Sequence, residues 1–167
     1  MYTKSIAYDK LAYEVGKCGC TFSPAIYNGK RRKENYIGQQ LIALDFDNGV
    51  TFAEIKQRAE HYRLPILFAY KTFSHTEEHE KFRVVFVLSD MICDAFTAET
   101  ILAMFMKIFK ECDKACKDSS RMFFGGKSLL ELADEPIEIS GQDMLIAFVT
   151  SMNDRYGANH YTREIKN

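Results

Sequence analysis

Two strand-like segments follow each other along this chain with no helical segment between them. Residues 66–70 and 82–88 are rich in aromatic and β-branched side chains, and the polar stretch 72–80 joins them. A regularly alternating parallel sheet needs a crossover, usually a helix, at such a point. The pair therefore predicts antiparallel structure and argues against a doubly wound α/β fold.

The neighbouring segments complete a β-α-β-β-α-β order. Residues 41–47 form a short apolar run typical of a buried strand, and Thr51 with Glu54 forms a capping box that begins a helix. A second helix is predicted over about 97–111 and a fourth short strand over 121–124, where Gly125 and Gly126 end it. This order is that of an α+β, RRM-like or ferredoxin-like split βαβ sheet. We expect two helices on one face, an open opposite face, and the first strand between the third and the fourth.

The rest of the chain adds flanking elements. The first 40 residues predict a helix and a strand, and Ser140 with Asp143 predicts the start of a C-terminal helix. We expect residues 1–167 to form a single domain with its core over about 41–127. Five cysteines, no signal-peptide pattern at the N-terminus and no apolar stretch of about 20 residues indicate a cytoplasmic protein.

The net charge of −1 gives no overall attraction to nucleic acid. A nucleic-acid role therefore needs a local basic patch, and the run 30–33 supplies one. Arg31, Arg32 and Lys33 are the candidate contacts to template phosphates. The competing interpretation is an ordinary solvated loop, which is the usual fate of a charge run.

Asp45 and Asp47 lie two residues apart at the end of the first strand, so their side chains are expected on one face. Adjacent carboxylates repel each other, and a divalent cation removes that cost. Oxygen ligands alone suit Mg²⁺ or Mn²⁺. The alternative is a strand end that simply runs into a polar turn.

Further polar residues are expected near this pair. Arg83 should project from the open face of the third strand, where it either binds a triphosphate or forms a structural ion pair with an aspartate. Asp113 and Asp118 both precede the fourth strand, and either can supply a third carboxylate. The remaining candidate phosphate contacts are Ser74, His75, Arg121 and Lys127.

Together these residues resemble the catalytic domain of the archaeo-eukaryotic primase (AEP) superfamily, especially the primase-polymerases of phages and plasmids. The family's first motif, acid-hydrophobic-acid at a strand end, is matched by residues 45–47. Its second, a small polar residue and a histidine before a strand, is matched by 72–75 followed by Arg83. Its third, a hydrophobic residue and an acid, is matched by Cys112 and Asp113, with Arg121 downstream.

The resemblance implies an RRM-like sheet and template-dependent nucleotidyl transfer with Mg²⁺ or Mn²⁺. It assigns Asp45, Asp47 and Asp113 to metal, and it assigns nucleotide contacts to Ser74, His75, Arg83 and Arg121. A DNA template and nucleoside triphosphates are the implied partners, and a replicative helicase or further domains of a longer protein are the additional ones. Two departures are the adjacency of Ser74 and His75, where the family has one residue between them, and Asp118 as a rival third acid.

Other classes share parts of the pattern. A haloacid-dehalogenase-type phosphatase also uses Asp-x-Asp after an apolar strand, but it needs alternating parallel βα units. A Toprim domain needs an earlier strand that ends in glutamate. A non-catalytic replication-initiation or single-strand-binding module would bind bases through aromatic residues such as Phe123 on the open face, but unscreened aspartates at the sheet centre would repel phosphate.

Overall fold

The structure is a computed structural model that describes residues 5–158. Its helices are α1 (Tyr8–Gly16), α2 (Phe52–His61), α3 (Ala95–Ile108) and α4 (Gly141–Tyr156). Its strands are β1 (Ala25–Tyr27), β2 (Tyr36–Phe46), β3 (Phe68–Lys71), β4 (Phe82–Ile92) and β5 (Ser128–Leu132). Within the described part of the chain, no helix is both long and apolar enough to cross a lipid bilayer.

One five-stranded sheet organises the fold, with strand order β1-β2-β4-β3-β5. Each neighbouring pair of strands runs antiparallel, and the long central strands β2 and β4 pair from Phe46 opposite Phe82 to Gln39 opposite Ile92. This confirms the predicted α+β class with its split βαβ arrangement. It is incompatible with the parallel sheet that a haloacid-dehalogenase-type phosphatase requires.

The helical layer lies on the face formed by every second residue of the central strands. Phe82 and Phe86 of β4 contact this layer: the Phe82 ring packs edge-on against Phe52 of α2, and the Phe86 ring lies 5.2 Å from Phe105 of α3. The capping box at Thr51 is present as predicted, and it fixes the start of α2. α3 begins at Ala95, two residues earlier than predicted, because the Asp94 side chain accepts a hydrogen bond from Thr97 N.

The opposite face is partly covered, which corrects the expectation that it is open. α1 packs there against β3 and β5. A side chain at Gly16 would overlap Leu129, so the helix and the sheet approach closely at this glycine. The buried residues Ala12 and Val15 explain the contact, since they give α1 an apolar face that must be covered.

The predicted fourth strand at 121–124 is wrong. That segment forms only one isolated bridge, between Phe123 and Phe22, and the strand forms later, at Ser128–Leu132, on the far side of β3. β2, which is the first strand of the predicted β-α-β-β-α-β motif, therefore lies between β1 and β4. It does not pair with β5, which is the fourth strand of that motif. The physical reason is that residues 119–126 cross the sheet face: a side chain at Gly125 would overlap Gly19, and one at Gly126 would overlap the carbonyl of Lys71.

Candidate active site

The candidate site lies where β2 ends and β4 begins. The antiparallel register sets Asp45 opposite Arg83, and Arg83 opposite Tyr70 of β3. Directly paired residues share a sheet face. These three side chains therefore project from the face away from α2 and α3, and Arg83 lies beside Asp45 as the strand alternation predicts.

Two arginines hold the Asp45 carboxylate, which is only 7% exposed. Arg83 Nε donates to Oδ1 at 3.1 Å, and Arg121 Nη2 donates to Oδ2 at 3.0 Å. Burial alone would lower the pKa of Arg83, but the charge of Asp45 and the interactions with Tyr70 together outweigh it, and the pKa is raised. The two guanidinium groups thus offset the energetic cost of burying this acid. The sequence pattern had assigned that role to a metal ion.

Asp113 is the second acid that reaches this point. Its backbone N–H donates to the Asp45 carbonyl at 2.7 Å, and its Oδ2 lies 3.2 Å from Arg121 Nη2. Asp118 is exposed, and its carboxylate instead accepts hydrogen bonds from Ser120. Of the two candidate third acids, the structure brings Asp113 to Asp45. We refer to the charge cluster as the set Asp45, Asp113, Arg83 and Arg121.

The buried thiol of Cys116 forms hydrogen bonds with two residues of the charge cluster. Cys116 Sγ accepts hydrogen bonds from Asp45 N at 3.3 Å and from Arg121 Nη1 at 3.3 Å. Cys112 donates its own thiol proton to Cys116, which raises the pKa of Cys112 and lowers that of Cys116. Cys116 thereby connects the end of β2 to the segment that carries Arg121.

Asp47 stands apart from the charge cluster. β2 ends at Phe46, so the strand alternation does not extend to Asp47, whose side chain is exposed. Its carbonyl oxygen accepts a hydrogen bond from His79 Nε2 at 3.0 Å, which ties the end of β2 to the loop 72–81. Asp47 therefore borders the site at its solvent side.

Four acids were predicted as metal ligands: Asp45, Asp47, Asp113 and Asp118. Among residues 5–158, no three Asp, Glu, His or Cys side chains form a group that could hold a metal ion. Both oxygens of Asp45 are in ion pairs, and Arg121 stands between Asp45 and Asp113. In this arrangement the side chains do not fit a resident metal ion, and the metal-ligand assignment stays a prediction.

The loop 72–81 brings His75 to the same end of the sheet. His75 is 5% exposed, and its Nδ1 atom lies 3.0 Å from the Lys81 backbone nitrogen and 3.1 Å from the Lys81 carbonyl oxygen. Nε2 is buried and makes no hydrogen bond within the described residues. A buried ring nitrogen without a hydrogen bond is available to a ligand.

Two lysines surround an acid beside His75. Lys71 Nζ donates to Glu77 at 2.8 Å, and His75 Nε2 lies 3.7 Å from the same carboxylate. The hydrogen bond from Lys71 lowers the pKa of Glu77. Lys127 Nζ donates to the His75 carbonyl at 2.8 Å, and the exposed Ser74 lies next to Thr72. The predicted residues Ser74, His75 and Lys127 therefore lie together, with Lys127 contacting the loop that carries the other two.

Aromatic rings border the charge cluster. Phe123 is buried, with the Arg83 and Arg121 guanidinium carbons 5.7 Å and 4.9 Å from its ring centre, so it does not present the stacking surface expected of it. The Phe124 carbonyl accepts from Tyr70 Oη at 2.9 Å and from Arg83. The rings of Phe73 and Phe124 are 64% and 68% exposed, and they are the aromatic surfaces that the site offers to solvent.

The basic run lies elsewhere. Arg31, Arg32 and Lys33 precede β2, whereas Asp45 lies near the other end of that strand. Lys33 Nζ pairs with Glu99 at 2.7 Å, and Arg32 lies 3.8 Å from Glu34. The structure does not bring this run to the charge cluster, and its contact with nucleic acid stays a prediction.

Comparison with known proteins identifies the fold. No protein-family model matches the chain, and no curated protein matches it either. Among solved structures, the AEP domain of the cyanophage S-2L primase-polymerase is similar to it, with a TM-score of 0.56 and 14% sequence identity. The similarity covers 74% of this chain and 68% of that one. The chain has an AEP-like fold. At this identity the similarity shows the fold alone.

Three residues of the site were not predicted from the sequence. Cys116, Tyr70 and His79 contact the charge cluster or Asp47. Tyr70 had a usable signal, since it lies on the second predicted strand at a position that an antiparallel register can set opposite Arg83. Cys116 and His79 lie outside the strands and helices of the sheet layer, and no periodic pattern points to them.

Proposed function

We propose that this domain is a template-dependent nucleotidyltransferase, a DNA primase or polymerase that joins nucleoside triphosphates to a primer or an initiating nucleotide. The observation that carries the proposal is the charge cluster, formed at the ends of two central strands on an AEP-like fold. A metal-bound triphosphate needs carboxylates for its metal ion and cations for its phosphates, and the charge cluster holds both kinds of group in contact.

The proposed reaction is a phosphoryl displacement. The primer 3′-hydroxyl oxygen forms a bond to the α-phosphorus, and the bond from that phosphorus to the oxygen bridging to the β-phosphate breaks. Pyrophosphate leaves, and the hydroxyl proton passes to solvent. Positioning and charge stabilisation are the main tasks of a protein in such a transfer.

The triphosphate enters this scheme as its Mg²⁺ or Mn²⁺ complex. Magnesium is usually bound by one or two carboxylates together with substrate phosphates and not by a cage of protein ligands. Asp45, Asp47 and Asp113 are the carboxylates proposed to face the substrate's metal. Arg83 and Arg121 are proposed to bind its phosphates, since a planar guanidinium suits bidentate contact with phosphate oxygens.

The loop 72–81 supplies the remaining proposed nucleotide contacts. His75 Nε2 is buried and makes no hydrogen bond within the described residues, and Lys127 Nζ donates to the backbone carbonyl of the same residue. Ser74 is exposed beside them. We assign these three side chains to the triphosphate, with Arg31, Arg32 and Lys33 contacting the DNA template away from the chemistry.

The wider setting is also proposed. A primase-polymerase domain of this kind serves the replication of a mobile element such as a phage or a plasmid, in the cytoplasm. A replicative helicase, or further domains of a longer protein, would act beside it. Residues 1–167 would form its single catalytic domain.

A template-directed incorporation assay tests the proposal. The wild type should extend a primer, and Asp45→Ala/Asp47→Ala should lower incorporation by at least about a hundredfold, since charge-stabilising groups in transfer reactions typically contribute this much. Asp134→Ala, which removes an exposed acid after β5, is the matched control. Equal incorporation by wild type and double variant contradicts the proposal.

The same assay separates the non-catalytic alternative. A single-strand-binding module would retain DNA on the exposed rings of Phe73 and Phe124 but would incorporate no nucleotide. Wild-type protein that binds single-stranded DNA, melts cooperatively and gives no product with Mg²⁺ or Mn²⁺ would favour that alternative.

A further inference from the structure

Arg121 joins two carboxylates that come from different parts of the chain. Its Nη2 atom lies 3.0 Å from Oδ2 of Asp45 and 3.2 Å from Oδ2 of Asp113. One guanidinium nitrogen thus contacts an oxygen of each acid. A metal ion shared by these two carboxylates would have to occupy the position of this nitrogen atom.

The charge cluster is already neutral. Asp45 and Asp113 contribute two negative charges, and Arg83 and Arg121 contribute two positive charges. A divalent ion added here would face both guanidinium groups at short range, and repulsion between like charges is strong at a partly buried site. The cluster therefore provides no electrostatic driving force for a metal ion in the absence of further negative charge.

Arg121 is also held by groups other than the acids. Its Nη1 donates to Cys116 Sγ at 3.3 Å, and its guanidinium carbon lies 4.9 Å from the centre of the Phe123 ring. The side chain is 20% exposed. It is a defined part of the site, yet it retains a route to a ligand that approaches from solvent.

We infer that Arg121 is the resident counter-ion of Asp45 and Asp113, and that a divalent ion enters only together with the triphosphate. The negative charge of the triphosphate draws the guanidinium off the two acids, which then become available to the metal that the triphosphate carries. The inference rests on the proposed function for the identity of the anion. It assigns Arg121 two successive partners, carboxylate in the free domain and phosphate in the complex.

The direct test measures Mn²⁺ binding without nucleotide, by the electron paramagnetic resonance signal of the free ion. Wild type should bind Mn²⁺ weakly, and Arg121→Gln should bind it at least about tenfold more tightly, because the buried Asp45 and the partly exposed Asp113 lose their shared counter-ion. Adding Asp113→Asn to Arg121→Gln should remove the gain. Arg155→Gln is the matched control, since it removes one positive charge from α4, where Arg155 donates to the Lys107 carbonyl.

A second measurement uses the unaltered protein and so does not depend on the folding of a variant. The ¹⁵N signals of the Arg121 guanidinium should keep their positions when Mg²⁺ alone is added. They should shift when Mg²⁺ and a non-hydrolysable nucleoside triphosphate are added together. A shift of the same size with Mg²⁺ alone would overturn the inference.

The outcomes distinguish this inference from the proposed function. Equal Mn²⁺ affinity of wild type and Arg121→Gln, whether tight or weak, contradicts the counter-ion role and leaves the polymerase proposal standing. The predicted gain and the predicted ¹⁵N shift support the counter-ion role even if no primer is extended, because neither measurement uses synthesis.

Discussion

At the scale of single residues, Cys116 determines how the acids of the site are presented. Its sulfur is the acceptor for the buried N–H of Asp45 and for one N–H of Arg121. An unsatisfied buried N–H costs about 1–3 kcal/mol. A small apolar replacement at this position removes the acceptor of both groups.

We therefore predict that Cys116→Ala lowers the free energy of unfolding by about 2–3 kcal/mol, from the lost acceptor and the cavity together. Cys116→Ser, which keeps an acceptor atom, should cost less. Urea unfolding checks both. Cys112→Ala is the control, since it opens a similar cavity without removing the acceptor of Asp45 N. Equal losses for Cys116→Ala and Cys116→Ser would contradict the acceptor role.

Arg83 shows which part of the site the sequence predicts at this scale. Strand alternation and an antiparallel neighbour are enough to bring Arg83 to Asp45, and both follow from local patterns. The contact is an ion pair, which was one of two interpretations of this residue. The bridge from Arg121 to Asp113 was not predictable in the same way, because it depends on how residues 113–121 fold over the end of β2.

At the scale of elements, the loop 72–81 carries its own internal anion. Glu77 is exposed, and it lies near Lys71, His75 and Lys127, of which His75 and Lys127 are proposed to bind phosphate. Glu77→Gln should tighten the binding of inorganic triphosphate by about twofold to fivefold, the modest gain expected when an exposed ion pair is released. Calorimetric titration measures this, with Glu78→Gln as the control. Unchanged affinity in Glu77→Gln would show that these groups do not bind phosphate.

A second element-scale contact fastens α2 to α3. Arg58 donates to Glu111 at 2.8 Å and also to the carbonyl of Ile108. Burial raises the pKa of Glu111, but the hydrogen bonds from Arg58, a backbone hydrogen bond and the charge of Arg58 together lower it by more, so the net pKa is lowered. A lowered folded-state pKa means that the stabilisation is present above the unfolded pKa and is lost as pH falls through the folded one.

Arg58→Met should accordingly lower the free energy of unfolding by about 1–2 kcal/mol at pH 7. The difference from wild type should disappear as the pH falls below the usual range of a glutamate carboxyl. Denaturant unfolding across this range checks the prediction, with Arg63→Met as a control at the end of α2. A difference that persists undiminished in acid would rule out the ion pair as its source.

The helices and strands that were predicted correctly are those specified by local sequence patterns. The capping box of α2 and the apolar periodicities of α2, α3 and β4 are local, and these elements are present. The segment 121–124 has an alternating pattern that resembles a strand, but as it crosses the sheet the Phe124 carbonyl accepts hydrogen bonds from the side chains of Tyr70 and Arg83. The course of this segment depends on the close approach of Gly125 to the backbone of Gly19 and of Gly126 to the backbone of Lys71. A local sequence pattern does not indicate such contacts between distant parts of the chain.

At the scale of the whole molecule, the fold supplies a sheet face on which charge collects at one end. Four side chains from two central strands and the connecting segment after α3 meet there, and the loop 72–81 closes beside them. The order of elements predicted this sheet because hydrophobic periodicity specifies strands and helices. The far-edge position of β5 was missed, since strand order depends on contacts between distant segments.

The central claim is that this charge cluster joins nucleotides under the direction of a template. The most direct measurement supplies the protein with a primed template, Mg²⁺ or Mn²⁺ and each nucleoside triphosphate in turn, on four templates that differ only in the first unpaired base. The account predicts that the nucleotide added follows the template base, with one pyrophosphate released per addition, and that Asp45→Asn abolishes both. Addition that ignores the template base, or no addition by a folded wild type under any of these conditions, would contradict it.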